Sequence, residues 1–448
     1  MAKEVNIDPL DRSNAHLRKY FEGKSFLIVD PSKTIRPIIK KLMVELKASQ
    51  VNKAPETYEE FENLIRSNSP HFVFTTEKYK GRSVEALVDI HTELRTDRLQ
   101  SGFYVISENN SLSNATANFD SEVDALLTAP FTKQSLYTAL FRSFHKKTKP
   151  SDYEKILNEG RIELFQEDYD SAKMKFMEAK LLGKKPVKAL YYLGDIQYRL
   201  KNFEKACEYF EEGLTIKEDH FRSLNKYLKA SLKINDYEKA YAAASTMLDN
   251  YPISAEQIPT FIKLSIANKK YEDIFRYAEL FTALEEREDD IHKHIAAGLV
   301  ICGKYFLQVD EIDQAKETMM KAADMARGNY QILRSCCMIL IEFKIFSVVD
   351  EILMKLGEYH EFSDEYKIFE YEVMSHYGKP AKIVKEGMDF IQQGVKTVRI
   401  YDAIIKSSID LERKPHVIED LVIEAKKAFP GSAQHFEDLA ATHKKPEE

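Results

Sequence analysis

Thiols and imidazoles are the side chains here best able to do chemistry on their own. The 448-residue chain has four cysteines (Cys207, Cys302, Cys336, Cys337) and 12 histidines. Metal binding or thiol catalysis would need such groups on one face at ligand spacing. Cys336 and Cys337 are adjacent and point apart. His292 and His294 are two apart on a helical stretch and face different sides. The sequence contains no His-Glu-x-x-His pair and no glycine-rich phosphate loop. The cysteines lack a disulfide framework and read as buried, reduced thiols of a cytoplasmic protein. The expectation is therefore no catalytic residue, no metal and no cofactor. Oxygen chemistry is the other option: Asp30, Thr76, Glu77 and Ser107 each stand at the end of a β-rich run. A lone carboxylate such as Asp30 is a poor Mg²⁺ site, because that ion wants several oxygen ligands. Capping the helix that begins near Thr34 is its plainer use.

The elements that position these oxygens lie within residues 1–150. Strands are expected at 25–29, near Val51, at 71–75, at 103–107 and near 123–128. Helices are expected at 34–46, 57–67, 82–95 and 133–144, after a polar helical extension at 11–21. Five strands alternating with helices predict a doubly wound α/β domain with a parallel sheet covered on both faces. Its crevice would open at the carboxyl ends of the strands.

The residues at those ends carry a specific likeness. Phe26-Leu27-Ile28-Val29-Asp30-Pro31-Ser32-Lys33-Thr34-Ile35-Arg36 resembles the first strand and helix start of a response-regulator receiver domain. Thr128-Ala129-Pro130-Phe131-Thr132 is similar to that family's Lys-Pro-Phe turn, and Ser107 falls where the family has Ser or Thr. The resemblance covers about residues 24–147. It implies a phosphorylation pocket formed by Asp30, Thr76, Glu77, Ser107, Ala129 and Pro130, with Pro130 following a cis peptide. The departures are large. Thr76 takes the acceptor position, or Glu77 if the register shifts by one. Pro31 replaces one metal-binding acid, Ala129 replaces the lysine, and Leu126 replaces the reporting aromatic. The resemblance thus implies a pseudo-receiver without ordinary aspartyl phosphorylation. The resemblance implies the family's docking and dimerisation face (fourth helix, fifth strand, fifth helix) here too; Phe131, Leu136, Tyr137 and Phe141 either contribute to it or belong to the core, and periodicity does not separate the two.

Beyond residue 150 the pattern changes to a repeat. Tyr169, Phe203, Tyr237 and Tyr271 are 34 residues apart, and Gly160 and Gly194 are in step with Ala172, Ala206 and Ala240. A fixed period of this length means stacked helix pairs. The pattern resembles the tetratricopeptide repeat, without its tryptophan, with units starting near Tyr153, Val187, Phe221 and Ala255. After a slip to Ile312, marked by an extra turn or longer loop near 285–290, units continue at Phe346, Pro380 and Pro415. Seven or eight helical pairs are expected in an all-α superhelix over 153–448. The family lines its concave face with first helices, which implies a peptide groove. Its candidates are Asn158, Arg161, Tyr191, Tyr192, Asp195, Arg222, Asn225, Lys226 and Lys229. A carboxylate clamp is not expected, since Leu157 and Tyr192 replace its Lys and Asn.

Charge narrows the partners. The net charge is −7; residues 1–150 carry 22 basic and 19 acidic side chains, and the remainder 43 and 53. An acidic array argues against nucleic acid. No apolar run suits a bilayer, and the first residues lack a signal core. The organisation expected is a helical extension (1–23), a degenerate receiver (24–147), a linker (148–152) and the repeats. Together these describe a cytoplasmic signalling adaptor that binds proteins, with a receiver face suited to a partner or a homodimer. The rivals are a phosphorylation-switched regulator, a chaperone-like holder of secretion or pilus subunits, and a small-molecule sensor using the old phosphorylation crevice.

Overall fold

The computed structural model describes residues 9–441, apart from 31, 81, 108–121, 252–254, 283–288 and 362. The described residues form two compact units. One runs to Lys269; the other comprises Lys270–Thr282 and the residues from 289 onward.

The first unit begins with α1 (Pro9–Phe21), followed by a five-stranded parallel sheet. Its strands are β1 (Ser25–Val29), β2 (Ser49–Gln50), β3 (Phe72–Thr76), β6 (Gly102–Ser107) and β7 (Ala125–Thr128), in the order β2-β1-β3-β6-β7. This is the flavodoxin-like 2-1-3-4-5 winding. Alternate residues of each strand enter opposite layers, as the two-residue period of a strand requires. Phe26, Ile28, Phe72, Phe74, Tyr104 and Ile106 face one layer. Leu27, Val73, Phe103 and Val105 face the other. The first layer is closed by α2 (Ile35–Glu45) and α5 (Lys133–Thr148), the second by α3 (Tyr58–Asn68) and α4 (Glu85–Leu94).

Three details settle or shift the sequence expectations, which left the N-terminal extension to pack either on this domain or on the first repeats. The N-terminal helix belongs to this core: Leu17 and Phe21 are fully buried, and the Phe21 ring lies 4.6 Å from that of Phe72. The helix expected from residue 82 starts at Glu85, because Lys78–Tyr79 (β4) and Arg82–Ser83 (β5) form a small antiparallel hairpin. Lys80 sits in the left-handed region at φ 50° to turn it. Finally, α5 continues to Thr148 from a Thr132–Ser135 capping box, and the next helix starts at Asp152. The connection is thus shorter than the expected linker.

The repeats of the first unit are α6 (Asp152–Phe165) with α7 (Tyr169–Leu182), α8 (Val187–Arg199) with α9 (Phe203–Ile216), and α10 (Phe221–Lys233) with α11 (Tyr237–Asn250); α12 (Ile258–Ala267) follows. The 34-residue period is visible in the backbone itself. Glu167, Lys201, Asn235 and Lys269 all take φ between 57° and 61°, each at the turn that follows a first helix. Asp168 and Asp236 then cap the second helices by accepting from the Ser171 and Lys239 N–H groups. Gly194 lets α8 close on α9, since a Cβ there would lie 2.5 Å from the Phe210 ring. Burying such a ring contributes about 1.5–3 kcal/mol.

The second unit contains α13 (Asp273–Thr282), α14 (Asp289–Gln308), α15 (Ile312–Ala326), α16 (Tyr330–Glu342), α17 (Val349–His360), α18 (Asp364–Met374), α19 (Pro380–Gln392), α20 (Val398–Asp410), α21 (Pro415–Ala428) and α22 (Ala433–Ala441). The slipped period has a cause here: α14 is 20 residues long, against 13 or 14 for α8 to α11. The loop expected at 285–290 lies largely outside the described residues. Pro380 and Pro415 open their helices, where a missing N–H costs nothing. Beyond α22 no further helix is described.

Candidate functional site

The parallel register delivers the receiver-like oxygens to one edge of the sheet. Val29 pairs with Thr75, so Asp30 and Thr76 leave adjacent strands at the same level. Ser107 pairs with Thr128 on the next two strands. Asp30 is buried and accepts the Ser32 N–H at 2.6 Å. Helix capping falls to Ser32 instead, whose Oγ accepts from the Thr34 and Ile35 N–H groups. Thr76 and Glu77 are half-buried, Ser107 is buried and Pro130 is exposed. The Ser107 carbonyl accepts the Ala129 N–H at 2.7 Å, and the Ala129–Pro130 peptide is cis. No cationic side chain occupies position 129, and among the described residues no group of three His, Cys, Asp or Glu is arranged to hold a metal ion.

The repeat candidates have a different fate. The first helices α6, α8 and α10 turn their concave side chains onto the α/β domain of the same unit. Asn158 accepts the Arg98 N–H at 2.9 Å and donates to Asp97 Oδ1 at 3.1 Å. Arg161 binds Glu122 at 2.8 Å and donates to the Tyr192 hydroxyl at 2.9 Å. Arg222 binds Asp89 at 2.9 Å, approaches Glu122 at 3.8 Å and lies 4.4 Å from the Tyr191 ring centroid. Asn158, Arg161, Tyr191, Tyr192, Asp195 and Arg222 are all buried. Over these pairs the expected open peptide groove is filled. Buried guanidinium groups require carboxylates, and the receiver-like domain supplies them.

Glu122 is the centre of this contact. Burial alone would raise its carboxyl, but Arg161, Lys188 and Arg222 outweigh that and hold it well below the usual carboxylate range. Lys188 stands 3.5 Å from its other oxygen. Behind it, Arg98 donates to the Glu122 carbonyl at 2.9 Å and binds Asp124 at 2.8 Å, while Lys147 also pairs with Asp124. Asp195 serves the array itself, holding Lys226 at 2.8 Å and Arg199 at 2.9 Å. Arg199 also reaches Glu93 at 3.8 Å.

Two clefts remain beside the contact. One of about 320 Å³ is lined by Thr92, Thr96, Tyr191 and Arg199 among others. The second, about 630 Å³, lies between Tyr58, Asp89 and Glu93 on one side and Asn225, Lys229 and Phe261 on the other. Asn225 and Lys229 are therefore the candidates still facing open space. Burial, then Lys226, lowers the Lys229 ammonium pKa.

The carboxylates that complete the contact (Asp89, Glu93, Asp97, Glu122) were not singled out by the sequence. They sit on a helix and loops of another domain, and a single sequence carries no sign of their partners. All four cysteines are free and buried, and burial pushes Cys302 and Cys337 up to about 12. His292 is buried against Phe281, whereas His294 is exposed. No helix among the described residues is long and apolar enough to cross a membrane.

A family model described as tetratricopeptide repeat matches residues 187–220, which span α8 and α9. The chain carries a receiver-like domain followed by tetratricopeptide-type repeats. Tetratricopeptide repeats are protein-interaction modules, because stacked pairs expose an extended concave surface. No curated protein matches the sequence at a significant level. Solved structures resemble the chain in parts. A signal receiver domain of a putative Luxo repressor protein from Vibrio parahaemolyticus shares 14% identity and a TM-score of 0.24, covering 28% of this chain and 92% of its own. YrrB, a TPR protein with an unusual peptide-binding site, shares 10% at a TM-score of 0.29, covering 43% and 96%. Pseudomonas aeruginosa pilF shares 17% at a TM-score of 0.26, covering 49% and 97%.

Proposed function

We propose that the chain is a non-enzymatic, cytoplasmic signalling adaptor whose receiver-like domain works without aspartyl phosphorylation. One observation carries this reading: the receiver-like domain is held by the first repeats through Glu122, which precedes the last strand and so lies at the end of the sheet opposite the strand ends that carry Asp30, Thr76 and Ser107. The crevice chemistry agrees. Thr76 or Glu77 stands where the nucleophilic Asp would be, one metal-binding acid is a proline, and Ala129 cannot pair with a phosphoryl group. On this reading residues 1–23 and 24–147 form one docking body, 148–152 the short linker, and 153–448 the array that binds a protein partner. The receiver face around Phe131 and Tyr137 is available for a second partner or for a homodimer. A regulator switched by phosphorylation at Thr76 or Glu77 is the rival.

Incubation with acetyl phosphate and Mg²⁺, followed by intact mass, tests the proposal, with beryllofluoride calorimetry in parallel. No added mass and no heat of binding are expected. A phosphoryl increment, or saturable beryllofluoride binding, would establish the switch instead.

A further inference from the structure

In the second unit, α16, α18 and α20 are consecutive first helices, as α6, α8 and α10 are in the first. Three of their concave positions repeat, and a fourth contact is rebuilt from a different position. Tyr192 and Asp195 are the sixth and ninth residues of α8, and Phe369 and Glu372 are the sixth and ninth of α18. Arg222 and Arg399 are each the second residue of the following first helix. An arginine from the preceding first helix lies over the aromatic in both cases: Arg161 is 5.2 Å from the Tyr192 centroid, and Arg334 is 5.2 Å from that of Phe369.

The two sites differ in what the arginines hold. In the first unit, Asp195 is taken by Lys226 and Arg199, and the arginine pair receives Glu122 from outside the repeats. In the second unit, Arg334 at 3.2 Å and Arg399 at 2.5 Å both fall on Glu372, the array's own carboxylate. One buried carboxylate thus serves two guanidinium groups, which present ten N–H donors between them. The Arg399 side chain is 57% exposed and that of Arg334 28%. Both line a cavity of about 430 Å³ with Tyr330, Gln331, Phe369 and Glu365. Glu365 stands exposed at the rim, and its carbonyl accepts from the Tyr330 hydroxyl at 3.2 Å.

We propose that this cavity is a docking site for an acidic segment of a partner protein, which would present a carboxylate to Arg334 and Arg399 as Glu122 does to Arg161 and Arg222. The occupant is chosen by chemistry. Guanidinium groups take carboxylates in bidentate fashion, and the flanking Phe369 and Tyr330 rings offer apolar contact to the residues beside them. This inference rests on the adaptor reading and names the chemistry of its partner.

The probe is a fluorescein-labelled peptide with the sequence of residues 117–128 of this chain, which contains Asp120, Glu122 and Asp124. Its control carries Asn, Gln and Asn at those places. Anisotropy with the full chain should give saturable binding that weakens as salt rises. Arg399→Gln and, separately, Gln331→Glu should each weaken it at least tenfold. Both positions are solvent-facing, and far-UV circular dichroism verifies that the variants remain folded. Absent binding, or binding unaltered in both variants, overturns the proposal. Equal binding of the neutral control that still depends on Arg399 overturns the acidic specificity alone, leaving a peptide-binding adaptor. Phosphate incorporation by the intact chain is read separately and bears only on the adaptor proposal.

Discussion

Replacing Glu122 with glutamine keeps the shape of the side chain and removes its charge. The consequence follows from geometry. Three cations surround the carboxylate, at 2.8, 3.5 and 3.8 Å. At an effective dielectric constant of about 20, the nearest pair alone gains about 6 kcal/mol of gross Coulomb energy. Desolvation of buried ions offsets much of that gain, and removing one partner of such a cluster costs about 3–5 kcal/mol because the remaining charges are left uncompensated. The loss should open the contact between the receiver-like domain and α6, α8 and α10. Hydrogen exchange read by mass spectrometry should then be roughly 100-fold to 4000-fold faster in peptides from those helices, since each 1.4 kcal/mol is a factor of ten. Peptides from β1 and β3 should change far less. Adding Arg161→Met to Glu122→Gln should recover part of the loss, giving a coupling energy above about 1.5 kcal/mol. An effect below about 0.5 kcal/mol, with unaltered exchange, would refute the reasoning.

Further outcomes follow from individual residues. Gly194→Ala drives a methyl into the Phe210 ring and should lower stability by about 1–3 kcal/mol in urea titration. Lys201→Gly should raise it by about 0.5–1 kcal/mol, because φ 61° costs a lysine about 1–2 kcal/mol while the glycine's added chain freedom returns part of that. Burial first, then Arg222, lowers His220 to about 3, so its folded pKa lies below its unfolded value near 6.5. The unfolded chain then binds the extra proton, and stability should fall as pH drops from about 6.5 toward 3, by roughly 3 kcal/mol at pH 4.5. His220→Asn should flatten that slope in acid-titrated urea curves. The four thiols should stay inert to a thiol reagent at neutral pH until the chain unfolds.

What the sequence revealed and what it concealed divide along the range of the contact. The 34-residue spacing of Tyr169, Phe203 and Tyr237 is local, and it located the first three helix pairs to within a residue or two. The strands were legible because buried parallel strands such as Phe26–Val29 read as continuous apolar runs. The β4–β5 hairpin escaped because each strand has two residues, too few for any period. The concave residues were found, but their partners were not. Arg161 and Glu122 are 39 positions apart, and Arg222 and Asp89 are 133 apart. Domain charge even suggests the wrong polarity. Residues 1–150 are net basic and the array is acidic, yet the contact sets carboxylates of the former against arginines of the latter. Neighbours in space decide a contact, and net charge averages them away.

Cysteines at Glu93 and Arg199, joined by a short bismaleimide, test the central claim most directly. These two side chains meet at the rim of the contact, and the four native thiols are buried and will not compete. If the receiver-like domain occupies the concave face of the first repeats, the full-length chain will crosslink internally as a monomer, to the same extent with and without acetyl phosphate. No internal crosslink in the folded chain, or one that acetyl phosphate abolishes, would contradict the account.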